Sequence, residues 1–430
     1  MFNKLHIKEY IQTIMDKPKY ITDSETNRLV TVFDEFKKNV DKSTSLPSKD
    51  IENHSKSIIA MSSLGQFGRF GNQLFQYAFL RIYAKKNDAT VECPAWVGQT
   101  LFGHQDALIS KRLPPLLESR ESGESLFDAM PELKLYIEKI LNYPSLQMKG
   151  REILESNLVN VDLWGFFQLH TQILQVNKDL FCSLFQPVSD LKEALLEGLN
   201  YLRSKGKTIV GVHIRRGDFI TLPFAGFTLA VPSKWYCEWL DSIWSELEEP
   251  VLFLCSDELN SVVHDFEKFS PVISEDLNVK LPERMKDLNV EFYIDFFMLS
   301  NCNIVATSNS IFSFTACMLN NQAKLFIRPH WDFSSKFTVF DPWNSEPLLW
   351  IGGDKPKFSK SFFEVLYITY VTQGIWQMLK CMFIYIPRSY IKNFGIRAYL
   401  SYQAQGILGV MKSLMYTLGW RSVWNKKANM

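Results

Sequence analysis

The sequence has almost no net excess of charge of either sign. Lys and Arg number 47 against 46 Asp and Glu, a formal net charge of +1. That excludes a molecule that captures nucleic acid through its overall field. None of the seven cysteines (Cys93, Cys182, Cys237, Cys255, Cys302, Cys317 and Cys381) forms a Cys-x-x-Cys pair, and their number is odd. A zinc framework and a small disulfide scaffold are thereby excluded, and buried free thiols in a reducing compartment are expected. The N-terminal stretch MFNKLHIKEYIQTIMDKPKY has no continuous apolar core of signal-peptide length and no cleavage site, so no N-terminal anchor is expected. There is no Asp-x-Asp, no G-x-G-x-x-G, no G-x-x-x-x-G-K-[ST], no internal repeat and no low-complexity tract.

What is present is a chain of 430 residues, 46% hydrophobic, long enough for two domains and a large core. Its charge is unevenly placed. Residues 361–430 carry eight cations against one acid, Glu364, so a mildly acidic body bears a basic tail. SIIAMSSLG at 57–65 reads as a strand ending in a turn, and GRFGNQLFQYAFLRIYAKKN at 68–87 as a Gly-led helix. In that helix Phe75, Phe79, Ile82 and Tyr83 recur at helical spacing and predict one buried face. VDLWGFFQ at 161–168 has strand composition, and SDLKEALLEGLNYLRSKG at 189–206 is a patterned helix. From residue 208 onward, apolar runs alternate with helical segments: TIVGVHI, KWYCEWLDSIWSEL, VLFLCSD, PVIS, FYIDFFMLSNC, NIVATS, SIFSFTACMLN and AKLFIRP. Apolar strands alternating with helices predict a parallel sheet covered on both faces. The fold class expected is therefore α/β, doubly wound over about 206–345.

Three stretches carry candidate chemistry. GVHIRRGD at 211–218 puts His213, Arg215 and Arg216 at the carboxyl end of a strand, where open parallel sheets bind ligands. Alternation along a strand sets His213 and Arg215 on one side and Arg216 on the other. A guanidinium there suits a phosphate, or it pairs with a buried acid such as Asp218. TSNSIFSF at 307–314 lies between a strand and a helix. Its amides and hydroxyls suit an anion, or Ser308 or Ser310 simply caps the helix. GRFGNQ at 68–73 offers close backbone approach through Gly68 and Gly71, or is a tight turn.

GRFGNQLFQYA, HIRRGD and SNSIFSF, in this order and at these intervals, resemble glycosyltransferase family 11, the family of the α-1,2-fucosyltransferases. The family's motifs are of the kind G-x-x-GNQ-x-FQYA, H-x-RRGD-[YF] and SNS-x-FS. GFFQLHTQI at 165–173 resembles the family's aromatic G-[YF]-[FW]-Q segment, and CSDEL at 255–259 its SDD-type strand end. The resemblance spans roughly residues 57–330 and implies a GT-B-like α/β fold with two Rossmann-like domains, 55–205 on the acceptor side and 206–345 binding GDP-fucose. Outside it, residues 1–54 read as a helical extension and linker, and 346–430 as a basic, aromatic helical C-terminal extension.

The resemblance also implies roles. Arg215 binds the diphosphate, Asn72 faces the reaction centre, and His213 lies against the nucleotide. Ser308, Ser310 and Ser313 meet the phosphates, Phe312 packs near the guanine, and Asp295, 17 residues before it, reads the guanine edge. Arg216, Asp218, Asp257, Asn309, Gly68 and Gly71 complete the implied donor site. The implied function is transfer of fucose from GDP-fucose to a sugar hydroxyl with inversion, most directly O2 of a galactose-containing glycan, including lipid-linked ones. No metal and no further cofactor is expected, because Arg215 and the amides near Ser310 take the place of an Asp-x-Asp-bound cation. For the general base, Asp218, His104, Asp106 and Glu92 are candidates and the role stays unassigned. Two departures from the family pattern stand out: Ile311 replaces the usual Thr, and Phe314-Thr315 the frequent Trp-Trp.

The tail sets cations among Trp, Tyr and Phe, which suits a helix lying in a membrane interface. Alternatives are a cap packed on the body, a subunit interface, or a span. The expected placement is cytoplasmic, with residues 361–430 held on the inner face of a membrane. Two other functions fit the same residues: a fucosyltransferase of another linkage or acceptor, protein included, and a non-catalytic glycan- or sugar-nucleotide-binding protein at a membrane.

Overall fold

The structure is a computed structural model of the chain. It describes residues 56–66, 68–119, 146–221, 230–330, 336–349, 370, 374–376 and 378, the side chains of Asp218 and Thr221 excepted. The helical extension expected over 1–54 lies outside the described residues, as does most of the tail. The chain divides into two compact units, 1–359 and 360–430. In the second, Gly374 N donates to Tyr370 O (3.0 Å) and Met378 N to Gly374 O (3.2 Å), a helical spacing. Among the described residues no helix is long and apolar enough to cross a membrane.

The first unit contains two five-stranded sheets. The first has the order β2-β1-β5-β3-β4, from β1 (Ile58–Ala60), β2 (Thr90–Glu92), β3 (Pro115–Ser119), β4 (Leu146–Lys149) and β5 (Val161–Trp164). All its pairings are parallel. The second has the order β10-β9-β8-β6-β7, from β6 (Thr208–Ile214), β7 (Pro250–Ser256), β8 (Ile304–Ala306), β9 (Leu325–Pro329) and β10 (Phe337–Val339). Only the β9–β10 pair is antiparallel. The described part of the first unit is α/β and GT-B-like. The segment VDLWGFFQ is strand only to Trp164, because Phe167 takes a left-handed backbone (φ 51°) that ends the extended run. PVIS contributes a single bridge between Phe253 and Val272 rather than a strand, and Ser274 already begins a 3₁₀ turn.

Strand order locates the crevices. After β6 the chain lays β7 on one side of it and then crosses to lay β8, β9 and β10 on the other. The order reverses beside β6, so the carboxyl ends of β6 and β8 flank the place where open α/β sheets take ligands. Six of the seven residues of β6 are buried, as a strand covered on both faces requires.

Five helices matter to the site: α1 (Phe70–Lys86), α2 (Ser189–Ser204), α3 (Ser233–Ile243), α4 (Phe292–Leu299) and α5 (Ile311–Leu319). Helix α2 behaves as its pattern predicts, burying Leu191, Leu195, Leu199 and Leu202. Helix α1 does not show one apolar face: twelve of its seventeen residues are buried. It is sandwiched. Phe79 stacks on Phe167 beyond β5 (ring centroids 4.2 Å apart), while Phe75 stacks on Phe314 of α5 (6.4 Å). Each such ring contributes about 1.5–3 kcal/mol by leaving water, so α1 acts as the shared core between the two sheets.

Candidate active site

At the end of β6 the two arginines go separate ways, as strand alternation predicts. Arg215 Nη1 pairs with Asp257 Oδ2 at 2.9 Å, and the two side chains are 12% and 22% exposed. Its guanidinium lies 5.6 Å from the Phe219 ring centroid. Asp257 also accepts the backbone N–H of Arg216 on its other oxygen, at 2.7 Å. Among the described side chains, the acid that braces both arginines is Asp257, just beyond β7. Arg216 is turned toward Tyr236 and Asp265; burial draws its guanidinium below the ordinary arginine value, and those groups oppose the shift.

His213 is buried, and its Nδ1 lies 3.0 Å from Ser308 Oγ in the turn after β8. Burial, helped by the charge of Arg215, lowers its pKa to about 3. The ring is neutral at every physiological pH and serves as a hydrogen-bonding, packing group. Phe312 stands against it, ring centroids 5.3 Å apart, with Phe296 of α4 5.3 Å away on another side. Phe70, at the start of α1, contacts Phe292, Phe296 and Phe312, so aromatic residues from both halves line one place.

The SNSIFSF hydroxyls and amides divide in role. Asn309 is structural: its amide donates to Leu349 O (2.9 Å) and accepts from Leu349 N (2.8 Å). Ser313 Oγ is spent inside the first turn of α5 on Ser310 O (3.3 Å). Ser310 is the N-cap residue of α5, yet its side chain makes no capping bond, and the first turn of α5 has no acid. Helix α1 begins in the same way, with no side-chain cap bond from Arg69 and no acid in its first turn. The two helix starts touch. A Cβ added at Gly71 would lie 2.7 Å from the backbone of Ile311 and of Phe312. Two positive helix ends meeting without a negative side chain form an anion-favouring spot.

Gly68 has φ +76°, a left-handed conformation that opens the turn into α1. Asn72 follows one turn later, and its Oδ1 accepts a hydrogen bond from Gln168 Nε2. Gln168 lies in the aromatic GFFQ segment, and nothing in its local sequence marks it for a part in the site. Its pairing with Asn72, 96 positions earlier, leaves no local trace beyond the shared motif. The other three missed residues, Tyr236, Phe292 and Phe296, give no signal beyond apolar helix patterning.

Asp295 on α4 is the most perturbed carboxyl near these rings. Burial pushes it up to about 7, opposed by a hydrogen bond from Ser274 and reinforced by Glu275. Its Oδ1 is buried with no hydrogen-bond partner. Its charge bears on Cys255, which sits opposite His213 in the β6–β7 register. A buried carboxyl oxygen left unpaired calls for a donor from elsewhere.

Two of the proposed bases are engaged in hydrogen bonds, and a third, His104, is enclosed by rings with its Nε2 unpartnered. Glu92 accepts the backbone and side chain of Ser110 (2.9 and 2.6 Å). Asp106 holds Tyr77 Oη (2.6 Å) and Arg81 (2.8 Å). His104 is packed among Tyr77, Trp96 and Phe102, and burial lowers its pKa to about 4. Asp218, the fourth, has no described side chain. No group of three or more His, Cys, Asp or Glu arranged for a metal occurs among the described residues.

The family model of glycosyl transferase family 11 matches residues 24–340. A galactoside α-(1,2)-fucosyltransferase 2 of Oryctolagus cuniculus is 25% identical over 303 residues, covering 68% of this chain and 76% of that protein. The O-antigen biosynthesis glycosyltransferase WbnK of Escherichia coli is 28% identical over 227 residues, covering 50% of this chain and 66% of the relative. Among solved structures, NodZ α-1,6-fucosyltransferase soaked with GDP-fucose aligns with 67% of this chain and 99% of its own, at 13% identity and TM-score 0.43. At that score the likeness does not extend to function. The three motifs meet in one site, and the match spans both sheets: the chain belongs to glycosyl transferase family 11 and is a glycosyltransferase.

Proposed function

We propose that the chain moves fucose from GDP-fucose to a sugar hydroxyl with inversion, and that the acceptor atom is O2 of a galactoside. The observation that carries the reading is the meeting of Arg215 and the His213–Ser308 pair, beside Phe312, with the uncapped starts of α1 and α5. The family supports it, and so do the matched mammalian relatives named as galactoside α-(1,2)-fucosyltransferases.

In this reading the diphosphate lies at the two helix starts with Arg215 beside it. Guanine stacks near Phe312, and its N1–H and amine donate to Asp295, whose unpaired oxygen suits them. As the anomeric C–O bond breaks, negative charge grows on the leaving phosphate oxygen while the sugar takes oxocarbenium character. The acceptor oxygen attacks from the opposite face and forms the new C–O bond, its proton passes to a base or to the departing phosphate oxygen, and GDP leaves. Arg215 and the first-turn amides of α5 stabilise that charge, each such donor being worth ~10²–10³-fold in rate. No metal enters the proposal, and Asn72 stands at the reacting centre. Residues 361–430 hold the enzyme on an anionic membrane surface.

The test is turnover of GDP-fucose with a panel of galactosides, followed by linkage analysis of the product. An α-1,2 product supports the reading. Another linkage keeps the donor and overturns the acceptor. Binding without any turnover favours a silent sugar-nucleotide-binding protein.

A further inference from the structure

We propose that Gln168 is a positioning residue that holds Asn72 as a hydrogen-bond donor toward the reacting centre; this rests on the function proposed above. Asn72 is able to offer either an oxygen or an N–H₂. Gln168 Nε2 donates to Asn72 Oδ1, so the oxygen is taken and the nitrogen is what remains. Gly68 keeps that nitrogen uncovered: a Cβ there would lie 2.3 Å from Asn72 Nδ2. Donor character suits a site where a phosphate oxygen becomes more negative as the reaction proceeds.

The turn that delivers Gln168 is built for that purpose. Phe167 takes a left-handed backbone at φ 51°. Glu118 Oε2 holds the turn by accepting both Phe166 N (2.8 Å) and Phe167 N (2.7 Å). Gln76, one helical turn after Asn72 on α1, donates to Gly165 O at 2.9 Å and is fully buried. Phe167 then stacks on Phe79 of the same helix. The 165–168 turn and α1 thus lock at three points, and the Gln168–Asn72 bond is the one closest to the start of α1. A left-handed non-Gly residue held by a carboxylate is a strained arrangement that persists where its surroundings enforce it.

The test has two arms. In side-chain amide ¹⁵N–¹H spectra of the free full-length chain, the Gln168 amide is expected to be protected from exchange and the Asn72 amide unprotected. The opposite pattern overturns the proposal, whatever the substrate proves to be. The second arm is kinetic. Gln168→Ala should lower kcat about 10- to 100-fold, the scale of small misplacements in active sites, with the KM for donor within about twofold and an unchanged melting temperature. Gln168→Glu gives the distinguishing signature. An ionised Glu only accepts, so Asn72 turns its amide and presents oxygen; a protonated Glu donates again. Its activity relative to wild type should therefore rise as pH falls toward the carboxyl's own titration, from about 4.3 upward with burial. A constant ratio from pH 5 to 8, or loss of activity in step with lost stability, overturns the positioning role. Whether wild type turns over GDP-fucose at all is read separately and reports on the function.

Discussion

Arg215 and Asp257 show how a charged pair is kept in a nearly closed site. The pair is only 12% and 22% exposed, so removing one partner strands the other. Arg215→Ala should cut turnover by ~10²–10³-fold, the scale of losing one charge-stabilising donor, and weaken GDP binding. Circular dichroism checks that the fold survives. Asp295 carries a pH prediction. An unperturbed aspartate titrates at 3.8, whereas Asp295 in the folded chain titrates at about 7. Its folded-state pKa is raised, so the stability it gives as a neutral group is complete below pH 3.8 and is lost as pH rises through 7. A guanine donating two hydrogens to it demands the carboxylate, so binding below pH 7 must expel a proton. GDP affinity should climb from pH 6 to 8 in wild type and stay flat in Asp295→Asn, as read by calorimetry in buffers of different ionisation enthalpy. A pH-independent affinity in wild type would remove Asp295 from the base site.

Among the elements, α1 is the one on which both sheets depend. Its start touches the start of α5 at Gly71, where no side chain fits. Gly71→Ala should cost about 1–3 kcal/mol as an overpacked contact and separate the two helix starts, so loss of GDP binding should exceed loss of melting temperature. Much at this scale was legible in the sequence. β6 announces itself as an apolar run ending in charge, and the α1 and α5 segments follow turns rich in Gly or Ser. What was not legible is what tertiary contact decides. The Phe75 and Phe79 spacing suggested one buried face, whereas the helix is enclosed on several sides by α5 and the 165–168 turn. PVIS has strand composition but makes one bridge only. An acid paired with Arg215, Asp257, lies 42 positions away, a partner that no local pattern announces. Glu92 and Asp106 carry catalytic residue types, but hydrogen bonds to Ser110, Tyr77 and Arg81 engage them, and rings enclose His104.

At the scale of the whole molecule, the body and the basic tail make separate predictions. Deleting residues 361–430, with eight cations and one acid, should abolish co-sedimentation with anionic vesicles while soluble-acceptor turnover persists; binding attributable to basic residues scales at about 1 kcal/mol each. For the body, the central claim is a guanine-nucleotide donor site centred on Arg215 that works without a metal. Calorimetric titration of the full chain in EDTA with GDP-fucose, GDP-mannose and UDP-galactose, on wild type and Arg215→Ala, tests it most directly. The account predicts binding of GDP-fucose to wild type and its loss in the variant. Failure to bind any guanine nucleotide, or binding restored only by a divalent cation, would contradict it.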